Sequence, residues 1–250
     1  TLSIPAKAIR ARLAANAQGT TRMSQHPKIA AIAGATGLIG RALTKALLAS
    51  PAFDQVITFT RQAPGFQHPK LRAIELPDFN RIGEAVAQLE TLIAEGFSAL
   101  GTTIKTAGSR EAFRRVDCDF NSAFAAACEG AGARSFNLVS SVGANAHSPN
   151  FYLHCKGETE RRLIDLRFER LRLFRPSLLI GARKEERIGE GLGQLAAPLL
   201  SPLLLGPLRL YKPIKADEVA RAMAKAAETG DGDGAVNIYH YDEMMRLLRP

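Results

Sequence analysis

A tyrosine and a lysine stand four residues apart in the stretch NFYLHCKGETE, residues 150–160. On a helix, Tyr152 and Lys156 would lie on one face, a single turn apart. An ammonium group beside a phenol favours the phenolate, so such a tyrosine can act as a general acid or base near neutral pH. The same spacing also occurs on ordinary helix surfaces, so its meaning depends on the elements that position it.

A glycine-rich turn stands far upstream, in the stretch AGATGLIG. It follows the apolar run KIAAIAG, which is typical of a buried strand, and opens LIGRALTKALLAS, whose leucines have helical spacing. Gly34 would allow the tight turn off the strand, Gly37 would let the backbone approach a pyrophosphate, and Gly40 would let the helix pack closely. The spacing is G-x-x-G-x-x-G, but its position between strand and helix predicts a dinucleotide-binding turn.

The end of the second apolar run, QVITFTR, indicates which dinucleotide binds. An acid is expected there when the cofactor is NAD, because it accepts hydrogen bonds from the ribose hydroxyls. Arg61 instead offers a cation for a 2′-phosphate. The sequence therefore favours NADP, with NAD as the alternative. Asp78, after the third run, would either lie near the adenine or cap the following helix, and the sequence leaves both open.

Two serines end a further apolar run, SFNLVSS, residues 135–141. In an open parallel sheet, ligands bind at the carboxyl ends of the strands, where the glycine turn also lies. Ser141 is therefore expected to polarise a substrate carbonyl, and Ser140 is the less favoured choice. With the dinucleotide at this edge, Tyr152 becomes the proton donor or acceptor, and Lys156 holds the nicotinamide ribose.

Strand-like and helix-like segments alternate along most of the chain. This alternation predicts an α/β fold, a doubly wound parallel sheet of the Rossmann type with a small C-terminal substrate-side region. We expect one NAD(P)-binding domain over residues 27–250, with residues 182–215 shaping the substrate side and Asp217 capping a helix. The predicted strands are 28–34, 55–61, 71–76, 96–101, 135–141 and 171–181, and the predicted helices are 38–50, 80–94, 110–131, 150–168 and 217–227.

Composition excludes several classes of protein. No run of about 20 apolar residues occurs, and LAAPLLSPLLLGPLRL at 195–210 is broken by three prolines and a glycine, so we expect no membrane span. Three scattered cysteines and five histidines lack metal-ligand spacing, so we expect no metal site. The net charge of +9 lies mostly in residues 1–28, which hold five basic residues and no acid, so we expect no nucleic-acid partner.

The basic segment is expected to lie outside the fold, as an N-terminal extension over residues 1–26. Its composition resembles a transit peptide. The alternative, which we favour, is that translation begins at Met23. We expect a cytoplasmic protein that is a monomer or a homodimer.

The motifs GATGLIG, LVSSVGA, YLHCK and FRPSLLIG stand in the order typical of the short-chain dehydrogenase/reductase superfamily, in its extended or atypical form. IKADEVARAM resembles a helix start common near the C-terminus of its extended members. LGTTIKTAGSREAFRRVD and RPSLLIGARKEERIGE resemble more specifically the Tat-interacting-protein-like oxidoreductases and their bacterial NAD(P)-binding relatives. The resemblance covers about residues 28–250.

The resemblance implies a set of cofactor contacts. Tyr152 and Lys156 match the active pair of the family, whereas Gln62 stands where the family has a second arginine after Arg61, which weakens the NADP assignment. The remaining implied cofactor contacts are Gly34, Thr36, Gly37, Leu38, Ile39, Gly40, Arg61, Leu100, Gly101, Thr102, Pro176, Leu179 and Arg187.

The resemblance and the residues together favour an NADP(H)-dependent oxidoreductase of a small carbonyl or hydroxyl substrate. One alternative is a sugar-nucleotide epimerase or dehydratase, although only about 70 residues follow the sixth strand. The other alternative, carried by the resemblance, is a regulatory protein that senses NADP(H) and binds a protein partner.

Overall fold

The computed structural model describes residues 27–62, 65–180 and 206–249. The strands are β1 (Ile29–Ala33), β2 (Gln55–Thr60), β3 (Leu71–Glu75), β4 (Glu95–Ser98), β5 (Ser135–Val139), β6 (Arg170–Phe174), β7 (Leu179–Ile180), β8 (Ile214–Lys215) and β9 (Val236–Tyr239). Seven parallel strands form one sheet in the order β3-β2-β1-β4-β5-β6-β9, and β7 and β8 form a separate parallel pair.

Helices cover both faces of the sheet and bury two apolar cores. Because side chains alternate along a strand, β1 sends Ile32 into one core and Ala31 into the other. The helices are α1 (Leu38–Ala49), α2 (Ile82–Ala87), α3 (Ile104–Ala107), α4 (Arg110–Arg114), α5 (Asn121–Gly130), α6 (Phe151–Ile164), α7 (Ala216–Thr229) and α8 (Tyr241–Leu247).

The predicted doubly wound parallel sheet is thereby confirmed, but one predicted strand and two predicted helices differ from the structure. The sixth strand ends at Phe174 and a new one begins at Leu179, because Pro176 has no N–H to donate to a ladder. The helix predicted over 80–94 is a 3₁₀ turn at Phe79–Arg81 followed by α2, and the chain then reaches a positive φ of 50° at Glu90. The helix predicted over 110–131 is interrupted by a π-helical segment, Arg115–Phe120.

Two predictions near the C-terminus also need correction. Lys215 and not Asp217 is the N-cap of α7; Asp217 lies in the first turn, where its carboxylate interacts favourably with the helix dipole. The seventh strand, β9, was missed, because an edge strand with exposed Val236 and Ile238 lacks the continuous apolar pattern of a buried strand.

Some predictions concern residues outside the described part of the chain. These are the N-terminal extension 1–26, Arg187, and residues 182–205 of the predicted substrate side. Within residues 27–62, 65–180 and 206–249, no helix is both long and apolar enough to cross a bilayer. In the same ranges, no three potential metal-ligating side chains cluster together.

Candidate functional site

The site lies where the order of the strands reverses. β1 pairs with β2 on one side and with β4 on the other, so the chain turns away in opposite directions from the carboxyl ends of β1 and β4. Such a reversal leaves a crevice at the sheet edge, which is the usual ligand site of open parallel sheets. The glycine turn follows β1, and the segment Leu100–Thr102 follows β4.

Two glycines of the turn are required by the protein itself. Gly34 has a φ of 83°, and a Cβ built on it would lie 2.6 Å from the carbonyl carbon of Ala99. A Cβ on Gly40 would lie 2.0 Å from the carbonyl oxygen of Gly34. The turn after β1, the start of α1 and the end of β4 are therefore packed too closely for any side chain at either position.

Gly37 differs from these two glycines. Its φ of −72° suits any residue, and the nearest atom to an added Cβ is the Gly34 oxygen at 3.4 Å. Gly37 is the N-cap of α1, where no side chain accepts a hydrogen bond from the first turn and no acid stands in that turn. The N–H groups of Leu38 and Ile39 thus begin a twelve-residue helix with its positive dipole end available to a phosphate.

The other predicted phosphate-side residues surround this turn. Thr36 is exposed, and its carbonyl oxygen accepts a hydrogen bond of 2.9 Å from Nε of Arg41. Arg61 is exposed and follows the last residue of β2, beside the carboxyl end of β1. Asp78 has the capping role that the sequence left open: its Oδ1 accepts a hydrogen bond of 3.0 Å from the Asn80 backbone N–H.

Lys156 is held by an aspartate that the sequence analysis missed. Its Nζ lies 2.8 Å from Oδ1 of Asp117, and only 6% of the lysine side chain and 1% of the aspartate side chain are exposed. Burial lowers the pKa of Lys156, but the carboxylate of Asp117, aided by Tyr152 and Glu160, raises it above its ordinary value. The lysine is therefore a charged, buried group within the site.

Asp117 also joins this lysine to the turn after β4. Its Oδ2 accepts a hydrogen bond of 2.8 Å from the Thr102 backbone N–H. A Cβ built on Gly101 would lie 3.5 Å from Oδ1 of Asp117 and 3.9 Å from Nζ of Lys156. Gly101, Thr102 and Lys156, three of the predicted contacts, thus meet around one carboxylate.

The π-helical segment places Asp117 in the site. The backbone carbonyl of Asp117 accepts hydrogen bonds from the side chains of Asn121 (3.0 Å) and Thr159 (3.0 Å), which lie on α5 and α6. π-Helical turns inside α-helices are frequent at functional sites. A regular helical pattern gives no sign of the extra residue that such a turn accommodates, so the sequence offered only the two acidic residues within RRVDCD as a signal.

Tyr152 stands in the first turn of α6, which Asn150 caps by accepting a hydrogen bond of 3.1 Å from the Leu153 N–H. The tyrosine is 37% exposed, and its ring centre lies 6.0 Å from Nζ of Lys156 and 5.9 Å from the ring of Phe113. The phenol therefore reaches solvent at the sheet edge while the lysine beside it is buried.

The two serines after β5 have different surroundings. Ser140 is buried and donates its hydroxyl hydrogen to Oε1 of Glu160, which also forms a two-pronged ion pair with Arg175. Ser141 is half-buried, and its Oγ makes one long contact, 3.3 Å to the Val142 carbonyl oxygen. Ser141 is the freer of the two hydroxyls, while Ser140 fixes the end of β5 to α6 and β6.

The remaining predicted contacts follow β6. The carbonyl oxygen of Pro176 accepts a hydrogen bond of 3.0 Å from the Val142 N–H, which ties this segment to the serine loop. Leu179 lies in β7, and its neighbour Ile180 borders an apolar groove of about 370 Å³ beside the start of α1. Neither Tyr152 nor Lys156 lines that groove, so it is separate from the residues that could do chemistry.

Comparison with known proteins agrees with a nucleotide-binding site at this edge. The sequence pattern of the NAD(P)H-binding family matches residues 34–165, from the first glycine of the turn to the end of α6. The chain belongs to this NAD(P)H-binding family. The match includes the glycine turn, the Leu100–Thr102 segment and Lys156, and it does not distinguish NADP from NAD.

Two curated relatives of this family member confirm the predicted resemblance and correct one expectation. The chain is 36% identical over 203 residues to Protein FMP52, mitochondrial, of Candida albicans, with 80% of this chain and 87% of that protein covered. It is 36% identical over 165 residues to Protein HTATIP2 of Rattus norvegicus, covering 65% and 67%. The expected cytoplasmic location is wrong, because several relatives are named as mitochondrial proteins.

Solved structures share the fold at low sequence identity. The oxidoreductase ylbE of Lactococcus lactis has a TM-score of 0.62 and 18% identity, with 88% of this chain and 96% of that chain covered. A UDP-glucose 4-epimerase of Thermotoga maritima with UDP-glucose has a TM-score of 0.60 and 15% identity, covering 85% and 76%. Both likenesses concern the fold alone.

Proposed function

We propose that the protein is an NADP(H)-dependent oxidoreductase of small carbonyl or hydroxyl compounds. The observation that carries this proposal is the pairing of a solvent-reaching Tyr152 with a buried, charged Lys156 at the sheet edge that holds the glycine turn. A binding protein without turnover has no need to hold a phenol beside a buried ammonium. General acid–base catalysis does need it, because the ammonium favours the phenolate.

The residues of the chain have distinct tasks in a carbonyl reduction. When bound, NADPH would supply the hydride that reduces the carbonyl carbon. Tyr152 donates its phenolic proton to the carbonyl oxygen, so the product is an alcohol, and the reverse reaction returns the proton to the phenolate. The Ser141 hydroxyl donates a hydrogen bond to the same oxygen, and Lys156 holds the ribose hydroxyls and stabilises the phenolate.

The preference for NADP rests on the end of β2. This strand ends at Thr60 and is followed by Arg61 and Gln62, so a cation stands where an acid would accept hydrogen bonds from the ribose of NAD. Arg61 is exposed and forms no ion pair with any residue of the described ranges, which leaves its guanidinium available to a phosphate.

The proposal is tested with a panel of aldehydes, ketones and quinones, using the loss of NADPH absorbance as the measurement. We expect at least one compound to be reduced by the wild-type chain and not by the Tyr152→Phe variant. Tight NADPH binding without turnover of any compound would contradict the proposal and favour the cofactor-sensing alternative.

A sugar-nucleotide epimerase is the second candidate, since one of the structural relatives is a UDP-glucose 4-epimerase. An epimerase returns its cofactor to the starting redox state, so it converts substrate without net consumption of NADPH. Incubation with UDP-glucose and analysis of the sugar product separates the two candidates: an epimerised sugar with no change in cofactor absorbance would replace our proposal.

We also infer that the protein acts in mitochondria. The names of the relatives and the five basic residues without an acid in residues 1–28 support this location. A fluorescent fusion of the whole chain should colocalise with mitochondria, and the same fusion with Arg10→Glu and Arg12→Glu should do so less. A cytosolic signal from the unmodified fusion would contradict the inference.

A further inference from the structure

Asp117 is a buried carboxylate in the site to which neither the family match nor the relatives' names assign a role. It contacts two parts of the proposed cofactor site, Lys156 through Oδ1 at 2.8 Å and the Thr102 N–H through Oδ2 at 2.8 Å. Burying a carboxylate this deeply is costly unless its partners repay the lost hydration. The buried carboxylate is therefore stabilised by its contacts with the Lys156 amine and the Thr102 N–H.

The charges around Lys156 leave Asp117 as its one close counter-charge in the described part of the chain. Tyr152 lies on the same helix, one turn away, and is neutral unless it has lost its proton. Glu160 also lies on α6, but its carboxylate is paired with Arg175 from the end of β6, so that pair adds no net charge. The Leu100–Thr102 segment contributes no titratable group.

We propose that Asp117 is a positioning residue that offsets part of the charge of Lys156 and holds its amine against the Gly101–Thr102 turn, so that the site admits the cationic oxidised cofactor. This inference rests on the proposed function, because it assumes that Lys156 meets the nicotinamide end of the cofactor. The nicotinamide ring is positively charged when oxidised and neutral when reduced. An unneutralised ammonium beside it would repel the oxidised form alone.

The position of Asp117 fits this role better than a purely structural one. Gly101, the residue between the carboxylate and the crevice, carries no side chain, and a Cβ there would lie 3.9 Å from Nζ of Lys156. Gly101 is exposed, so the ion pair lies close beneath a solvent-exposed turn. A charge at this depth is screened less than a charge on the surface, and it acts on whatever occupies the crevice.

The test is a charge cycle measured by titration with NADP⁺ and with NADPH, without any substrate. Asp117→Asn keeps the shape but leaves the ammonium alone, so the ratio of affinities should move about tenfold toward NADPH. Lys156→Met leaves the carboxylate alone, so overall affinity should fall while the ratio moves toward NADP⁺. The double variant removes both charges and should return the ratio to the wild-type value.

A matched control stands in the same π-helical segment. Asp119 is half-exposed and pairs with Arg162, and Asp119→Asn should leave the ratio unchanged. A second measurement follows affinity with pH. Without Asp117, burial is uncompensated and the pKa of Lys156 falls, so NADPH affinity in Asp117→Asn should decline at lower pH than in the wild type.

The outcomes distinguish this inference from the proposed function. Equal weakening of both cofactor forms by Asp117→Asn would overturn it and leave a structural role. If Asp117→Asn does not fold, Lys156→Met and the double variant still decide, because an identical ratio in those two variants would overturn it. A wild-type chain that binds neither form would contradict the proposed function itself. Binding with the same ratio of NADP⁺ to NADPH affinity in the wild type and all three variants would contradict only the role of Asp117.

Discussion

Two buried ion pairs lie toward opposite ends of the strands of the same sheet. At the carboxyl edge, Lys156 meets Asp117 at 2.8 Å, and toward the amino ends of the strands, Arg172 meets Glu95 at 2.7 Å. All four side chains are at most 6% exposed. Their similar distance and burial suggest similar roles, but their surroundings differ.

The Arg172–Glu95 pair is enclosed by the fold. Oε1 of Glu95 also accepts a hydrogen bond of 2.9 Å from Nδ2 of Asn137, and Nε of Arg172 donates to the Asp231 carbonyl oxygen at 2.8 Å. These contacts connect β4, β5 and β6 with the segment before β9. Burial raises the pKa of Glu95, although Arg172 and Asn137 oppose the rise.

The Lys156–Asp117 pair instead borders the crevice. A Cβ built on Gly101 would lie 3.9 Å from Nζ of Lys156, and Tyr152, which is 37% exposed, stands one helical turn away. Burial and distance alone therefore do not distinguish an ion pair enclosed by the fold from one beside a ligand crevice. The difference lies in whether neighbouring groups fill the remaining space around the pair or leave it to a ligand.

The largest expected effect concerns chemistry at the carboxyl edge. Tyr152→Phe removes one hydroxyl and keeps the ring against Phe113, so stability and cofactor affinity should change little. Turnover should fall by about 10²–10⁴, the usual contribution of general acid–base catalysis. Steady-state rates with a reducible substrate and thermal unfolding of both chains measure this, and full activity in the variant would make the tyrosine structural.

Ser141→Ala and Ser140→Ala are the comparison variants for that measurement. Ser141→Ala should cost less turnover than Tyr152→Phe, since it removes a hydrogen bond and no proton transfer. Ser140→Ala should cost less turnover again, because its hydroxyl is directed to Glu160. A larger loss of turnover in Ser140→Ala than in Ser141→Ala would reverse the assignment of the two serines.

The second prediction tests the enclosed pair. Arg172→Met leaves Glu95 buried without its cation, and breaking such a pair costs about 3–5 kcal/mol in the free energy of unfolding. Urea denaturation gives the value. Arg134→Met is the control, because Arg134 and Glu169 form an exposed pair whose loss should cost at most about 1 kcal/mol. Equal losses in the two variants would show that the enclosure of Arg172 does not matter.

The third prediction separates ligand space from packing space in the glycine turn. Gly37→Val has an allowed φ and room on the protein side, so the chain should fold. Its side chain would occupy the approach to the N–H groups of α1, and losing two hydrogen bonds to a charged group weakens binding about a hundredfold or more. Calorimetric titration with NADPH measures the loss.

Gly34→Ala is the contrasting variant. Its Cβ would clash with Ala99 at 2.6 Å, so it should lower the melting temperature, which Gly37→Val should leave nearly unchanged. Normal NADPH affinity in a folded Gly37→Val chain would exclude the predicted pyrophosphate contact. Unchanged stability in Gly34→Ala would exclude the close packing of the turn against β4.

The sequence predicted what depends on local pattern. The strand–turn–helix around Gly34 and the Tyr152–Lys156 pair were both found, because each lies within a few consecutive residues. Asp117 was missed, because its contact with Lys156 joins positions 39 residues apart and depends on a π-helical segment that periodicity does not reveal. Strand β9 was missed because its exposed residues follow an edge pattern. Features that depend on contacts between residues distant in sequence were the ones that the sequence did not predict.

The smallest expected effect concerns the preference for NADPH, which we assign to Arg61 after β2. Arg61→Ala removes an exposed cation after β2, so NADPH affinity should fall about tenfold while NADH affinity stays constant, as one charge-assisted hydrogen bond contributes about 1.5–3 kcal/mol. Arg72→Ala, an exposed arginine on β3, is the control and should change neither. Raising the salt concentration should reduce the wild-type preference and leave the variant unaffected, because exposed charges are screened. An unchanged ratio of NADPH affinity to NADH affinity in Arg61→Ala would mean that the preference arises from other residues.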